Sequence, residues 1–169
     1  DYTNNPYKMD RGHMAPAASM KWNETAMKES FYTTNICPQN RSLNRDNWAD
    51  IEAFVRDVAY KYDSVYVVTG PIVSSDPLYM GNTHNIAIPD AFYKVLLRKG
   101  KSGWTTLAFV CKNEAGEGSP SPALFFIRRE IQLGQGIGLG RNFQFRAFDM
   151  GVDLGGIQVI VSKNLLQSS

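Results

Sequence analysis

Cysteine is nearly missing from this chain: Cys37 and Cys111 are the only two in 169 residues. They show no CxxC spacing and no zinc pattern, and two thiols cannot build the bridge-dense framework of a small secreted domain. Two separate structural thiols are the expectation, with a single disulfide left open. Histidine is equally scarce, at positions 13 and 84. No apolar run approaches the roughly 20 residues a membrane-crossing helix needs. Neither sign of charge dominates: 18 Lys and Arg face 16 Asp and Glu. A net +2 is compatible with a polyanionic partner and too small to establish one. Internal repeats and domain-dividing linkers are absent as well. The length fits one domain, 1–169, able to bury a core without staples.

What is present is concentrated between Asp10 and Glu52. This stretch carries Asp10-Arg11-Gly12-His13, Asn35, Gln39, Arg41, Asn44, Arg45, Trp48 and Glu52. Residues 1–9 read as an exposed arm or the tail of an element whose start is missing, and 10–18 as a strand end turning into a loop. Residues 21–30 suggest a short helix, and 31–34, aromatic and β-branched, a short strand or extended piece. The best-defined helix follows, capped by Asn44 or Asp46, with Trp48, Ile51, Val55, Val58 and Tyr62 at helical spacing. Asn44, Trp48 and Glu52 are four residues apart, which would line an amide and a carboxylate along one helical face.

Beyond the helix, 64–69 reads as a buried strand stopped by Gly70-Pro71. Residues 76–89 form a turn-rich loop around His84, which reads as a surface histidine. Two strands, 91–97 and 104–111, flank a polar turn. Further on, 124–127 is an apolar segment, 134–140 a glycine-rich one without dinucleotide-site context, and 157–162 a strand. Asn23 and Asn40 open glycosylation-type triplets of the kind that arise often by chance.

The central residues suit phosphodiester hydrolysis. A neutral histidine can take a proton from water near pH 7. A hard cation such as Mg²⁺ accepts one amide oxygen and keeps its waters. Arginine forks phosphate oxygens, and a carboxylate can hold metal-bound water in place. Each residue also has a duller reading. His13 could be a structural loop histidine, Asn44 a helix cap, Glu52 a solvated helix residue, and Arg11, Arg41 and Arg45 a solvated basic face.

The pattern Asp10-Arg11-Gly12-His13-Met14-Ala15-Pro16 resembles the signature of the DNA/RNA non-specific endonucleases of the ββα-metal (His-Me finger) superfamily. That superfamily includes secreted bacterial nucleases and mitochondrial endonuclease G. The second block, Asn35, Pro38, Gln39, Leu43, Asn44, Trp48 and Glu52, is similar at the same spacing. So are Val68-Thr69-Gly70-Pro71 and Ile88 to Lys94. The resemblance covers roughly residues 8–110 closely and implies an α+β fold, a central antiparallel sheet flanked by helices, with the site on a β-hairpin followed by the metal-binding helix.

By the same resemblance His13 is the general base, Asn44 the sole protein ligand of Mg²⁺ (Mn²⁺ a possible substitute), and Glu52 the carboxylate orienting metal-bound water. Arg11 is a phosphate contact and Asn35 and Gln39 support the site, with Arg41 and Arg45 candidates for the phosphate path. The expected partners are DNA and RNA, with no membrane association. The setting expected is secreted or periplasmic in a bacterium, with a mitochondrial alternative. Relatives carry a substantial segment before Asp-Arg-Gly-His, so the natural precursor is expected to be longer and the domain to lack its N-terminal part. The rival readings are a catalytically impaired nucleic-acid-binding remnant and a hydrolase of another phosphodiester.

Overall fold

The computed structural model describes residues 1–62, 64–100, 103–115, 130–131 and 157–162. Two strands far apart in sequence, β1 (Met9–His13) and β2 (Ile36–Asn40), pair antiparallel with Met9 opposite Asn40 and His13 opposite Ile36. Between them lies a short helix, α1 (Glu24–Glu29), whose N-terminus is capped by Asn23 Oδ1 accepting from the Ala26 amide. The aromatic segment expected as a strand is instead a turn and a single 3₁₀ turn at Thr33–Asn35. Local hydrogen bonds there from Phe31 to Lys28 and from Tyr32 to Glu29 outcompete a ladder that has no partner strand.

After β2 the chain enters α2 (Arg41–Arg45), capped by Asn40 Oδ1, and then α3 (Asn47–Tyr62). Both candidate glycosylation asparagines therefore spend their side chains on helix caps. The single helix expected from Asn44 onward is two helices. Asp46, at φ −109° and ψ −97°, breaks the run; its amide closes α2 on Ser42 and its carbonyl accepts from Asp50 to open α3.

Most of the helical stripe on α3 packs as its spacing predicts: Trp48, Ile51 and Val55 are buried against the main sheet and Val58 packs on their core, but Tyr62 at the helix end is exposed. Ala59 is buried with them. That sheet has β3 (Ser64–Ile72), β6 (Ala91–Gly100), β7 (Gly103–Lys112), β8 (Glu130–Ile131) and β9 (Ile157–Ser162). A minor ladder of β4 (Tyr79–Met80) and β5 (Ile86–Ala87) sits in the loop between β3 and β6. The order is β8-β7-β6-β3-β9, all described pairs antiparallel. Gly70-Pro71 does not stop β3: the strand runs two residues past the glycine, and its ladder with β6 continues to Ile72 opposite Ala91.

Trp48 is fully buried, its ring 5.7 Å from that of Phe92 on β6. Aromatic side chains bury about 150–250 Å², so this one contact region contributes roughly 4–6 kcal/mol of gross transfer energy. Both cysteines are free thiols; Cys111 is buried in this core and Cys37 packs against it.

Residues 1–9 are not a free arm. Asn5 Oδ1 accepts from the Met9 amide while its Nδ2 donates to the carbonyls of Tyr2 and Met9. Met9 then packs with Met80 and Ile88 in a second small core. His84 is exposed and meets the Asp1 carboxylate at 2.9 Å. The stretches 124–127 and 134–140 lie outside the described residues. Among those described, no helix is long and apolar enough to cross a membrane.

Candidate active site

The hairpin of β1 and β2 carries His13 at the end of its first strand, where the segment 14–35 begins. Strand alternation puts Arg11 and His13 on one face and Asp10 and Gly12 on the other. One ring nitrogen of His13 donates to the Arg11 carbonyl; since Nε2 has no partner among the described residues, that donor is Nδ1. The imidazole is thus held as the tautomer whose free lone pair sits on Nε2. Burial disfavours the imidazolium and lowers its pKa, the Arg11 carbonyl pulling weakly the other way. A neutral imidazole with one nitrogen anchored, and the other buried but without a partner among the described residues, suits a general base for a water that enters the site. Phe31 meets it edge to face, with ring centroids 4.8 Å apart.

The loop that follows His13 is clamped by Asn35. Its Oδ1 accepts from the Ala15 amide at 2.9 Å, and its Nδ2 donates to the carbonyls of Ala15 and Ser30 at 2.9 and 2.8 Å. Its backbone carbonyl also takes the Met14 amide. Asn35 therefore supports His13 by fixing backbone, without touching the ring. Gln39 is fully buried behind Gly12, and neither of its amide atoms has a partner.

On the other face Asp10 gathers the start of the helical segment. Its carboxylate accepts from Arg45 Nε at 2.7 Å and from Arg41 Nε at 3.3 Å, and Asn44 hydrogen-bonds it as well. Burial pushes the Asp10 pKa up, but the two arginines and Asn44 outweigh it and hold the group below the usual carboxylate range. A carboxylate can only accept, so Asn44 must present its NH₂ to Asp10, which leaves Oδ1 as the amide's remaining acceptor. Arg41 and Arg45 stay largely exposed, with guanidinium edges available to an incoming anion.

The antiparallel hairpin, the Asp-Arg-Gly-His strand and the helix behind it coincide with a match of residues 1–133 to the DNA/RNA non-specific endonuclease family. The chain belongs to this family. It is 38% identical over 132 residues to the mitochondrial nuclease of Saccharomyces cerevisiae, which covers 68% of this chain and 40% of that protein. It is 38% identical over 125 residues to nuclease C1 of Cunninghamella echinulata, covering 68% and 49%. Human mitochondrial endonuclease G is 34% identical over 113 residues, covering 60% and 38%. The chain spans less than half the length of these relatives. Their names and sources are fungal and mammalian, two of them mitochondrial, and give no support to the expected bacterial secreted or periplasmic setting.

Members of this endonuclease family depend on a metal ion. Among the described residues no three His, Cys, Asp or Glu side chains cluster as a ligand cage. An ion here would therefore bind through few protein atoms and keep most of its water, as hard divalent cations do. The Asn44 amide, its nitrogen engaged by Asp10, keeps an oxygen of the kind such an ion takes.

Glu52 sits on α3 while Asn44 sits on α2, because the chain breaks at Asp46 instead of running as one helix. It lies beside Trp48, Lys94 and Arg56; burial raises its pKa while Lys94 and Arg56 oppose the rise. Lys94 went unassigned in the sequence. It is fully buried, donates from Nζ to Thr69 Oγ1 at 2.8 Å and lies 4.7 Å from the Trp48 ring centre. Burial lowers its pKa and Glu52 opposes that. Asp10 likewise stood in the motif without a role. Asn113 was missed entirely: its side chain accepts from the Asn40 amide and donates to the carbonyls of Pro38 and Pro89, tying β2 to the main sheet. Its only signal was an asparagine just past a strand end.

Proposed function

We propose that this chain is a Mg²⁺-dependent endonuclease that hydrolyses phosphodiester bonds of DNA and RNA without regard to the sugar, Mn²⁺ serving as a substitute. The observation that carries the reading is the unpartnered Nε2 of His13, on an imidazole anchored through Nδ1 and kept neutral by burial. His13 Nε2 takes a proton from a water whose oxygen attacks phosphorus; a P–O bond to one sugar breaks, and the leaving oxygen acquires a proton from solvent. Arg11 contacts the phosphate beside the base, while the exposed edges of Arg41 and Arg45 line the path of the strand. Asn44 Oδ1 would hold the cation, which when bound supplies charge neutralisation at the phosphoryl oxygens and at the leaving alkoxide. Glu52 accepts hydrogen bonds from water around that position, its charge supported by Lys94. Asn35 and Gln39 keep the hairpin and the His13 loop in place.

The mitochondrial names of two of the relatives favour a mitochondrial setting over a secreted one. Plasmid nicking and RNA cleavage, each with and without chelator, test the reading on wild type and His13→Ala. Metal-dependent cleavage of both polymers by wild type, and a loss of about 10²–10⁴-fold in the variant, is expected for a general base. A variant retaining more than about a tenth of the rate would remove His13 from that role. A wild type that binds nucleic acid but never cuts it would favour the impaired-remnant reading.

A further inference from the structure

Beside His13 stands a large apolar ring with no role in folding the core. Phe31 is 58% exposed and the adjacent Tyr32 60% exposed, on a turn between α1 and the 3₁₀ turn. Single exposed aromatics are ordinary; this one differs in how it is held and what it touches. Its amide donates to Lys28 O, that of Tyr32 to Glu29 O, and that of Asn35 to Tyr32 O. The same Asn35 side chain that clamps the loop after His13 also grips Ser30 O, one residue before Phe31. One residue thus fixes both the ring and the base relative to each other. The rings meet edge to face at 87°, a contact that leaves Phe31 58% exposed.

We propose that Phe31 is a stacking platform for the nucleobase next to the scissile phosphate, setting the strand's register against His13. This rests on the nuclease reading above. A strand whose phosphate lies at His13 Nε2 and Arg11 must place a base within a few ångströms of that phosphate, and the exposed ring in contact with His13 is Phe31. Stacking is indifferent to base identity, because every base has a π-face; it would grip DNA and RNA alike without reading sequence. A platform preassembled by backbone hydrogen bonds loses little entropy when the base docks. Tyr32, equally exposed, extends the platform outward.

The test is a cycle between protein and substrate. Wild type, Phe31→Ala and Phe31→Leu are compared on an oligonucleotide with intact bases and on one with abasic sites flanking the cut position. Leu78→Ala, at a site 65% exposed elsewhere on the surface, serves as control. Stacking predicts that Phe31→Ala and Phe31→Leu each lower kcat/KM on intact DNA by about tenfold or more, mainly through KM, with the control unchanged. On the abasic substrate wild type falls to a similar level and the Phe31 variants lose little further. Phe31→Trp is expected to match or exceed wild type on intact DNA.

If Phe31 only shields His13, the variants lose the same factor on both substrates, in kcat, and the acidic limb of the pH profile moves; that outcome overturns the proposal. So does unchanged cleavage in variants whose circular dichroism shows them folded. Circular dichroism of Phe31→Leu, which keeps the apolar bulk, guards against a folding artefact. An inactive wild type would overturn the nuclease reading and this inference together. An active one with no difference between substrates overturns the inference alone.

Discussion

Gly12 is the residue where sequence, packing and chemistry are most tightly joined, and Gly12→Ala is the perturbation to make. A Cβ built at Gly12 would lie 2.4 Å from Gln39 Oε1 and 2.5 Å from Gln39 Cβ. The oxygen is the end of a side chain and can swing away. The Cβ cannot move without its backbone, and that backbone is β2, held to β1 at Asp10 opposite Gln39. Gln39 has no solvent-exposed surface to retreat into. The strands must separate by about 1 Å, and overpacking of this kind costs about 1–3 kcal/mol.

Because the clash is with a backbone-anchored atom, the upper half of that range is expected, about 2–3 kcal/mol. For a chain of this size it corresponds to a drop in Tm of about 4–12 °C. His13 is the next residue, so the displacement reaches the base directly; misplacement by about 1 Å can lower the rate about 10²-fold. Urea unfolding followed by tryptophan fluorescence measures the first effect, and kcat on plasmid DNA the second.

A double-mutant cycle sharpens the test. Gln39→Ala removes the amide and leaves Cβ, so it should relieve Gly12→Ala only in part. Gln39→Gly removes Cβ as well and should relieve nearly all the clash, apart from the strand glycine's own cost of roughly 0.5–1 kcal/mol, which the cycle subtracts. A Gly12→Ala protein with wild-type stability within about 0.5 kcal/mol and full activity would refute the packing argument.

Three further outcomes are expected. The His13 imidazole, followed by NMR of its ring protons, should titrate with a midpoint below 6.5, the ordinary histidine value, because burial lowers its pKa and the neutral base is lost only as pH falls through that lowered value; a midpoint above 6.5 contradicts the assignment. Asn44→Ala should keep the fold but raise the Mg²⁺ concentration for half-maximal activity and the Mn²⁺ dissociation constant in calorimetry by about tenfold or more, and unchanged Mn²⁺ binding would place the ion elsewhere. Asn35→Ala removes three hydrogen bonds across the His13 loop, so urea unfolding should show a loss of about 2–4 kcal/mol, with kcat falling in the protein that remains folded; a loss under about 0.5 kcal/mol would mean the loop holds itself.

The chemistry of the candidate site was legible before any coordinates, because it resides in residue type and short spacing. Asp10 to Pro16, and then Asn35 to Glu52, bring a histidine, an amide, arginines and a carboxylate together in a pattern that chance rarely produces. The buried face of α3 was legible for a related reason: Trp48, Ile51 and Val55 recur with the helical period, and period is a local property of the chain. So was most of the sheet, where runs such as Val65 to Val68 carry their own β-propensity.

What tertiary structure alone decided are the meetings between residues far apart in sequence and the places where a local pattern yields to its surroundings. The four-residue rhythm through Asn44, Trp48 and Glu52 suggested one helix, but the chain turns at Asp46 and assigns Asn44 to Asp10 and Glu52 to Lys94. Gly70-Pro71 looked like a stop, yet β6 supplies a partner strand that carries β3 past it. Phe31 and Tyr32 looked like strand residues and, lacking a partner strand, became a turn beside His13. Periodicity and residue chemistry are written along the chain. Which buried lysine faces which carboxylate, and which asparagine ties two distant loops, depends on chain closure over tens of residues, and no local signal encodes it.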